Sequence, residues 1–209
     1  MLDVAHMIKL IRNAWEKGMI MKTSSGEQIK WEYVKQLVYL QEKEGLRLGN
    51  KLTRVHIEFH KQKMKVKLAT QVFSTSVADS IEYLDKQMNH EAFKGSEATV
   101  KFLRLMNDSF DILNTRNPLG RGTKEPMNRV NFNAKKKILY DCEEFLLSIQ
   151  NAGGEPMYLG SRKTGFIGWI LSSRSFIKLH ADLVLPTRAP LKYILGYKFP
   201  QVYFLKLYI

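Results

Sequence analysis

Over residues 3–17 the apolar side chains Ala5, Ile8, Ile11 and Trp15 recur at three- and four-residue steps, with Arg and Lys between them. That spacing predicts an amphipathic helix, and Gly18 predicts its end. Thr23-Ser24-Ser25-Gly26 reads as a turn. A second helix is predicted over residues 31–44, with Val34, Leu37, Val38 and Gln41 along one stripe and Gly45 as its stop. Residues 52–59 fit either the helical or the strand period and are assigned to helix on their surroundings. Residues 65–73 are apolar with embedded lysines. Ser74 or Ser76 is the candidate cap of a helix over residues 77–88. Ser96 is the candidate cap of a stronger one, with Val100, Leu103, Met106, Phe110 and Leu113 inward. Pro118, Gly120 and Gly122 then mark a loop running to about Phe132. Two more helices are predicted over residues 135–149 and 164–183, separated by Gly153-Gly154 and Pro156. Pro186 and Pro190 break the chain before an aromatic segment at residues 191–209.

Few strands, no βαβ alternation and no repeat are visible, so the expected fold class is mainly α. The body is expected in two parts joined near residues 115–135. With 209 residues and 44% hydrophobic content, the chain is long and apolar enough for a substantial core. Its single cysteine, Cys142, excludes an intramolecular disulfide framework and a Cys-rich zinc module, and reads as a small buried hydrophobe. No apolar run is long enough to span a bilayer, and no membrane partner is expected. Asp3, His6 and Lys9 interrupt the apolar positions that a signal peptide would need. A formal net charge of +13 favours polyanionic partners such as nucleic acid or nucleotide phosphates. The apolar Leu205-Lys206-Leu207-Tyr208-Ile209 end is expected to reflect a longer parent, the alternative being a buried terminal strand or helix.

Candidate chemistry is sparse. Asp3 and His6 share a helical face and suit either a metal or a proton relay, or more plainly a helix cap and a packed histidine. His56 and His60 are one turn apart, but no third ligand lies nearby in sequence. Gly120-Arg121-Gly122 is too short for a phosphate cradle, and no Walker loop occurs. Asn107-Asp108-Ser109-Phe110-Asp111 is more informative. An aromatic ring can stack on a purine, and a carboxylate can accept from both guanine N1–H and N2–H₂, a pattern that adenine lacks. Lys51 and Lys65 suit phosphates. The competing reading puts Phe110 in the core and the polar residues in water.

Several blocks, in order, resemble P-element-type DNA transposases and their relatives with an N-terminal THAP zinc finger. Asp3-Val4-Ala5-His6-Met7-Ile8-Lys9-Leu10-Ile11-Arg12-Asn13 is similar to an Asp-x-x-His-x-x-Lys-x-x-Arg-Asn motif. Lys63-Met64-Lys65-Val66-Lys67-Leu68-Ala69-Thr70-Gln71-Val72-Phe73-Ser74 resembles a second block. Phe93-x-Gly95-Ser96-Glu97-Ala98-Thr99, Asn107-x-x-Phe110-Asp111-x-Leu113-Asn114-x-Arg116-Asn117-Pro118, Lys163-Thr164-Gly165-Phe166-Ile167-Gly168 and Tyr193-Ile194-Leu195-x-Tyr197-Lys198-Phe199 follow.

The resemblance implies a helical GTP-binding insertion domain flanked by fragments of an RNase H-like catalytic domain. The boundaries it suggests are residues 1–17 (RNase H-like), 18–132 (insertion domain) and 133–209 (C-terminal helical part with an RNase H-like end). In the family, acids hold Mg²⁺ for DNA strand cleavage and transfer, while GTP is a cofactor of assembly. Asp3 matches the second catalytic, metal-binding acid, with His6 structural in the same motif. Lys51, Lys65, Val66, Ser74, Asn107, Phe110 and Asp111 fall where the family's GTP pocket draws its residues. DNA, GTP and a second copy are the implied partners, and the nucleus is the implied location. Two departures stand out. Leu205 replaces the third acid, and Val202 replaces a nucleotide-contacting Asp. The first acid belongs upstream of Met1. The chain is therefore expected to bind GTP and not to cut DNA by itself. The alternative is a basic nucleic-acid-binding or interaction module that has lost GTP.

Overall fold

The computed structural model describes residues 3–186 and 191–196. Among these, helices dominate: α1 (Val4–Gly18), α2 (Glu32–Glu44), α3 (Arg54–Ile57), α4 (Val66–Val72), α5 (Thr75–Lys86), α6 (Glu97–Leu113), α7 (Phe132–Ser148) and α8 (Thr164–Leu183). Two small antiparallel pairs join β1 (Ile20–Lys22) to β2 (Gln28–Lys30) and β3 (Met127–Asn128) to β4 (Tyr193–Ile194). The class is mainly α, as expected. Tyr197, Lys198, Phe199, Val202 and Leu205 lie outside the described residues.

Three local differences from expectation have physical reasons. The β1–β2 hairpin flanks the predicted turn, with Met21 opposite Ile29 and both buried. Strands this short show too little alternation to register as a period. Residues 52–59 do not form one helix. Thr53 and His56 close a capping box at α3, and the chain then tightens into a 3₁₀ turn at Phe59–Gln62. At the start of α6, Ser96 does not cap with its side chain. Its amide and hydroxyl donate instead to Asp85 Oδ2, at 3.1 and 2.8 Å. Burial opposes the Asp85 carboxylate, but the Ser96 bonds and the adjacent Lys86 outweigh it and hold the pKa below the ordinary value.

Buried side chains from Val4 to Ile194 form one cluster. Its hub is Trp15, which meets Trp31 edge-on at 5.0 Å, Phe102 edge-on at 5.3 Å and Phe73 stacked at 5.9 Å. The Trp15 indole N–H donates to the Ile29 carbonyl at 3.3 Å, so this buried ring also satisfies its polar handle. α1 thereby ties together β2, α2, α4 and α6. On another face α1 packs against α8. There Gly165 permits close approach: a Cβ would lie 3.0 Å from both the Ile11 nitrogen and Leu10 Cβ.

Candidate functional site

Asp3 is the N-cap of α1, and its Oδ1 accepts from the Ala5 amide at 2.9 Å. His6 is half-buried in the next turn. Among the described residues no group of three or more His, Cys, Asp or Glu side chains converges as a metal set. Mg²⁺ is held through carboxylates, usually with substrate phosphates. The described residues around Asp3 do not supply such a set, so they do not fit the metal. His56 and His60 also part ways. His56 is buried, with Nε2 3.1 Å from Gln71 Oε1, while exposed His60 lies 3.5 Å from Glu16.

The predicted phosphate-side residues lie on the stretch from α3 to α5. Lys51 is exposed and follows buried Asn50, whose Nδ2 donates to Ser80 Oγ at 3.0 Å and whose Oδ1 accepts from the Leu52 amide at 3.0 Å. Lys65 stands exposed at the N-cap of α4, and half-buried Val66 opens that helix. Ser74 occupies the N-cap of α5, but its hydroxyl donates back to the Gln71 carbonyl at 2.9 Å. The lysine-rich segment before α4 is fixed by Arg12. That side chain is fully buried, lies 3.6 Å over the Phe59 ring and donates to the Lys63 carbonyl at 3.0 Å. Burial pulls its pKa down to about 10, which leaves it charged at neutral pH.

The base-side residues sit together on the last turns of α6. Phe110 is only 9% exposed and stacks on Trp169 of α8, with centroids 6.3 Å apart. Its ring is a packed wall here, not an open platform. Asn107 is half-buried and donates to Asp108 at 3.0 Å. The Asp111 carboxylate is half-buried. Thr123 Oγ1 donates to its Oδ2 at 3.3 Å, and Lys124 Nζ lies 3.7 Å away. Desolvation raises the Asp111 pKa, with Lys124 and Thr123 pulling the other way. The α4 and α6 groups are carried by helices that both pack on α1.

Three residues escaped the sequence reading. Thr123 and Lys124 reach Asp111 from across the loop after α6. Lys135, on α7, is buried and donates to the carbonyls of Thr123 (2.9 Å) and Glu125. Desolvation lowers its pKa. A lysine in the first turn of a predicted helix reads as solvated, and no spacing rule signals that it holds a loop.

Known proteins resemble this chain in sequence and fold. Residues 5–126 match the family described as TNP-like, GTP-binding insertion domain, which is more than half of the chain. The chain is 32% identical over 197 residues to DNA transposase THAP9 of Homo sapiens, covering 94% of this chain and 22% of that protein. It is 34% identical over 116 residues to Transposable element P transposase of Drosophila melanogaster, covering 54% of this chain and 15% of that one. The fold is similar to that in the Drosophila P element transposase strand transfer complex. The TM-score is 0.72 at 23% identity, over 98% of this chain and 45% of that one. The fold and the family match thus define a transposase-type helical insertion module. The chain belongs to the TNP-like, GTP-binding insertion domain family, and it spans about a fifth or less of the length of these two curated relatives.

Proposed function

We propose that this chain binds a guanine nucleotide through its helical insertion domain, as part of a P-element-like DNA transposase. The observation that carries the reading is Asp111, a half-buried carboxylate beside the Phe110 wall within the family-matched segment. Ionised, it accepts from both guanine N1–H and N2–H₂, and adenine offers no such pair. Phe110, backed by Trp169, gives the base an apolar flank. Asn107 serves the ribose or base edge, Lys51 and Lys65 the phosphates, and Val66 and Ser74 the pocket wall. Residues 18–132 form the nucleotide-binding unit on this reading, with residues 1–17 and 133–209 as catalytic-domain flanks. DNA is the polyanionic partner that the charge suits, self-association is part of the same reading, and the nucleus is where it acts. DNA cleavage is not expected of this chain, because Leu205 stands where the resemblance puts the third acid and, among the described residues, no group of three metal-ligating side chains forms.

Titration calorimetry with GTP and ATP tests the reading. GTP heat that is absent with ATP and lost in Asp111→Ala is the expected outcome; equal heat with both nucleotides would sink the assignment. One observation favours a second reading. The segment at residues 61–67 presents Lys61, Lys63, Lys65 and Lys67 to solvent on a chain of net charge +13. A basic nucleic-acid-binding module without GTP would retain DNA in a salt-dependent manner that no nucleotide alters.

A further inference from the structure

The loop after α6 folds back onto the carboxylate that the nucleotide reading needs. It makes a 3₁₀ turn at Gly122–Lys124. It curls so tightly that a Cβ on Gly120 would lie 2.0 Å from the Lys124 carbonyl oxygen. This strap is held unequally on its two sides. At the back, buried Lys135 donates to the Thr123 and Glu125 carbonyls. Withdrawing those acceptors would leave a buried ammonium without partners, a costly change. At the front, Thr123 Oγ1 reaches Asp111 Oδ2 at 3.3 Å, and largely exposed Lys124 stands 3.7 Å from the same oxygen. Long, solvent-screened contacts of that kind contribute little.

A hydroxyl donor and a cation both sit on Asp111 Oδ2, one of the two oxygens that guanine N1–H and N2–H₂ would use together. The geometry points to an internal competitor: Thr123 and Lys124 cap Asp111, and the strap's front edge lifts off when guanine binds, pivoting on Lys135. The inference rests on the nucleotide reading above. It adds that apparent affinity is set partly by the fraction of molecules with the strap released. The weak front and firm back suit such a device, since a charge-assisted pair of hydrogen bonds from the base outcompetes one long hydroxyl contact and one exposed ion pair.

The test uses the full chain and the double variant Thr123→Val/Lys124→Ala, with circular dichroism melts to establish that both are folded. Lys124→Gln serves as a milder second variant. Calorimetry with GTP should show tighter binding by the double variant, by about two- to tenfold if each front contact has the usual strength of an exposed pair. Binding by the variant when the parent chain shows none supports the same conclusion. Trypsin should cleave after Arg121 faster once GTP is added. Two results overturn the proposal, and they differ. If the parent binds GTP and the variants bind equally or more weakly, the strap is no competitor and Asp111 still reads guanine. If neither parent nor variants take up GTP, the nucleotide reading fails and the strap's role fails with it.

Discussion

Trp15 stands edge-on to Trp31, with 5.0 Å between ring centroids and 84° between planes. Both rings are essentially inaccessible to solvent, and Trp15 also meets Phe73 and Phe102. Trp15→Ala would open a cavity where four elements meet. Loss of about 3–5 kcal/mol is expected, read as a lower urea midpoint. A shift below about 1 kcal/mol would show that the surrounding rings can collapse into the space.

The α1–α8 contact makes a second prediction. Gly165→Val adds branched bulk where even a Cβ meets the Ile11 nitrogen and Leu10 Cβ at 3.0 Å. Backbone cannot retreat as a side-chain tip can, so the expected cost is about 1–3 kcal/mol. An unchanged melting temperature would mean that α8 slides along α1 without penalty.

Ser96→Ala removes the hydroxyl donor to buried Asp85. About 1–3 kcal/mol is expected to be lost at neutral pH. Asp85 has a lowered folded pKa, so its contribution is present above the unfolded carboxylate pKa and is lost as pH falls through the folded value. The difference between parent and variant should therefore shrink in acid. A difference that grows below about pH 3.9, the unfolded value, would contradict this.

His180 supplies a titration in a different window. It is fully buried and stacks on Phe132 at 4.5 Å and 9°, in a region where Arg129 donates to the Val184 carbonyl at 2.8 Å. Burial lowers its pKa, an Asn128 backbone group working against that. The unfolded chain then binds the proton more readily. Stability is full above the unfolded pKa of about 6.5 and falls as pH drops from there toward the folded value. His180→Phe keeps the stack and removes the proton site, so urea midpoints at mildly acid and neutral pH should differ less than in the parent. Equal pH sensitivity would assign the effect elsewhere.

Cys142 is 1% exposed, and burial pushes its thiol pKa up to about 12. A thiol that stays protonated and covered is a poor nucleophile. Ellman's reagent should therefore leave the native chain unmodified at mildly alkaline pH and titrate one thiol after denaturation, since the chain has Cys 1. Rapid native labelling would reveal opening between α6 and α7.

The long helices were readable because each repeats its apolar stripe over several turns: α8 (Thr164–Leu183) has the predicted bounds, and α6 (Glu97–Leu113) starts directly after Ser96 and buries the predicted stripe. Short elements were not. β1, β2 and α3 are fixed by what they pack against, Met21 on Ile29 and the Thr53–His56 box, and no run of residues that brief carries a period. The site divides the same way. Asn107, Phe110 and Asp111 stood out as residue types suited to a purine and lie together on one helix end. Whether Phe110 faced a ligand or the core depended on Trp169, far along the chain. Thr123, Lys124 and Lys135 act through a fold-back of the loop after α6, and composition says nothing of such a fold-back.

The contact at Gly165 also bears on how the chain is made. The α5–α6 and α6–α7 contacts join neighbours in sequence and close cheaply, whereas docking α8 on α1 closes a loop spanning most of the chain. During synthesis the Leu10–Ile11 face of α1 leaves the ribosome long before the glycine that covers it. For that interval an apolar strip waits uncovered, the kind of transiently exposed surface on which chaperones act and misassembly feeds.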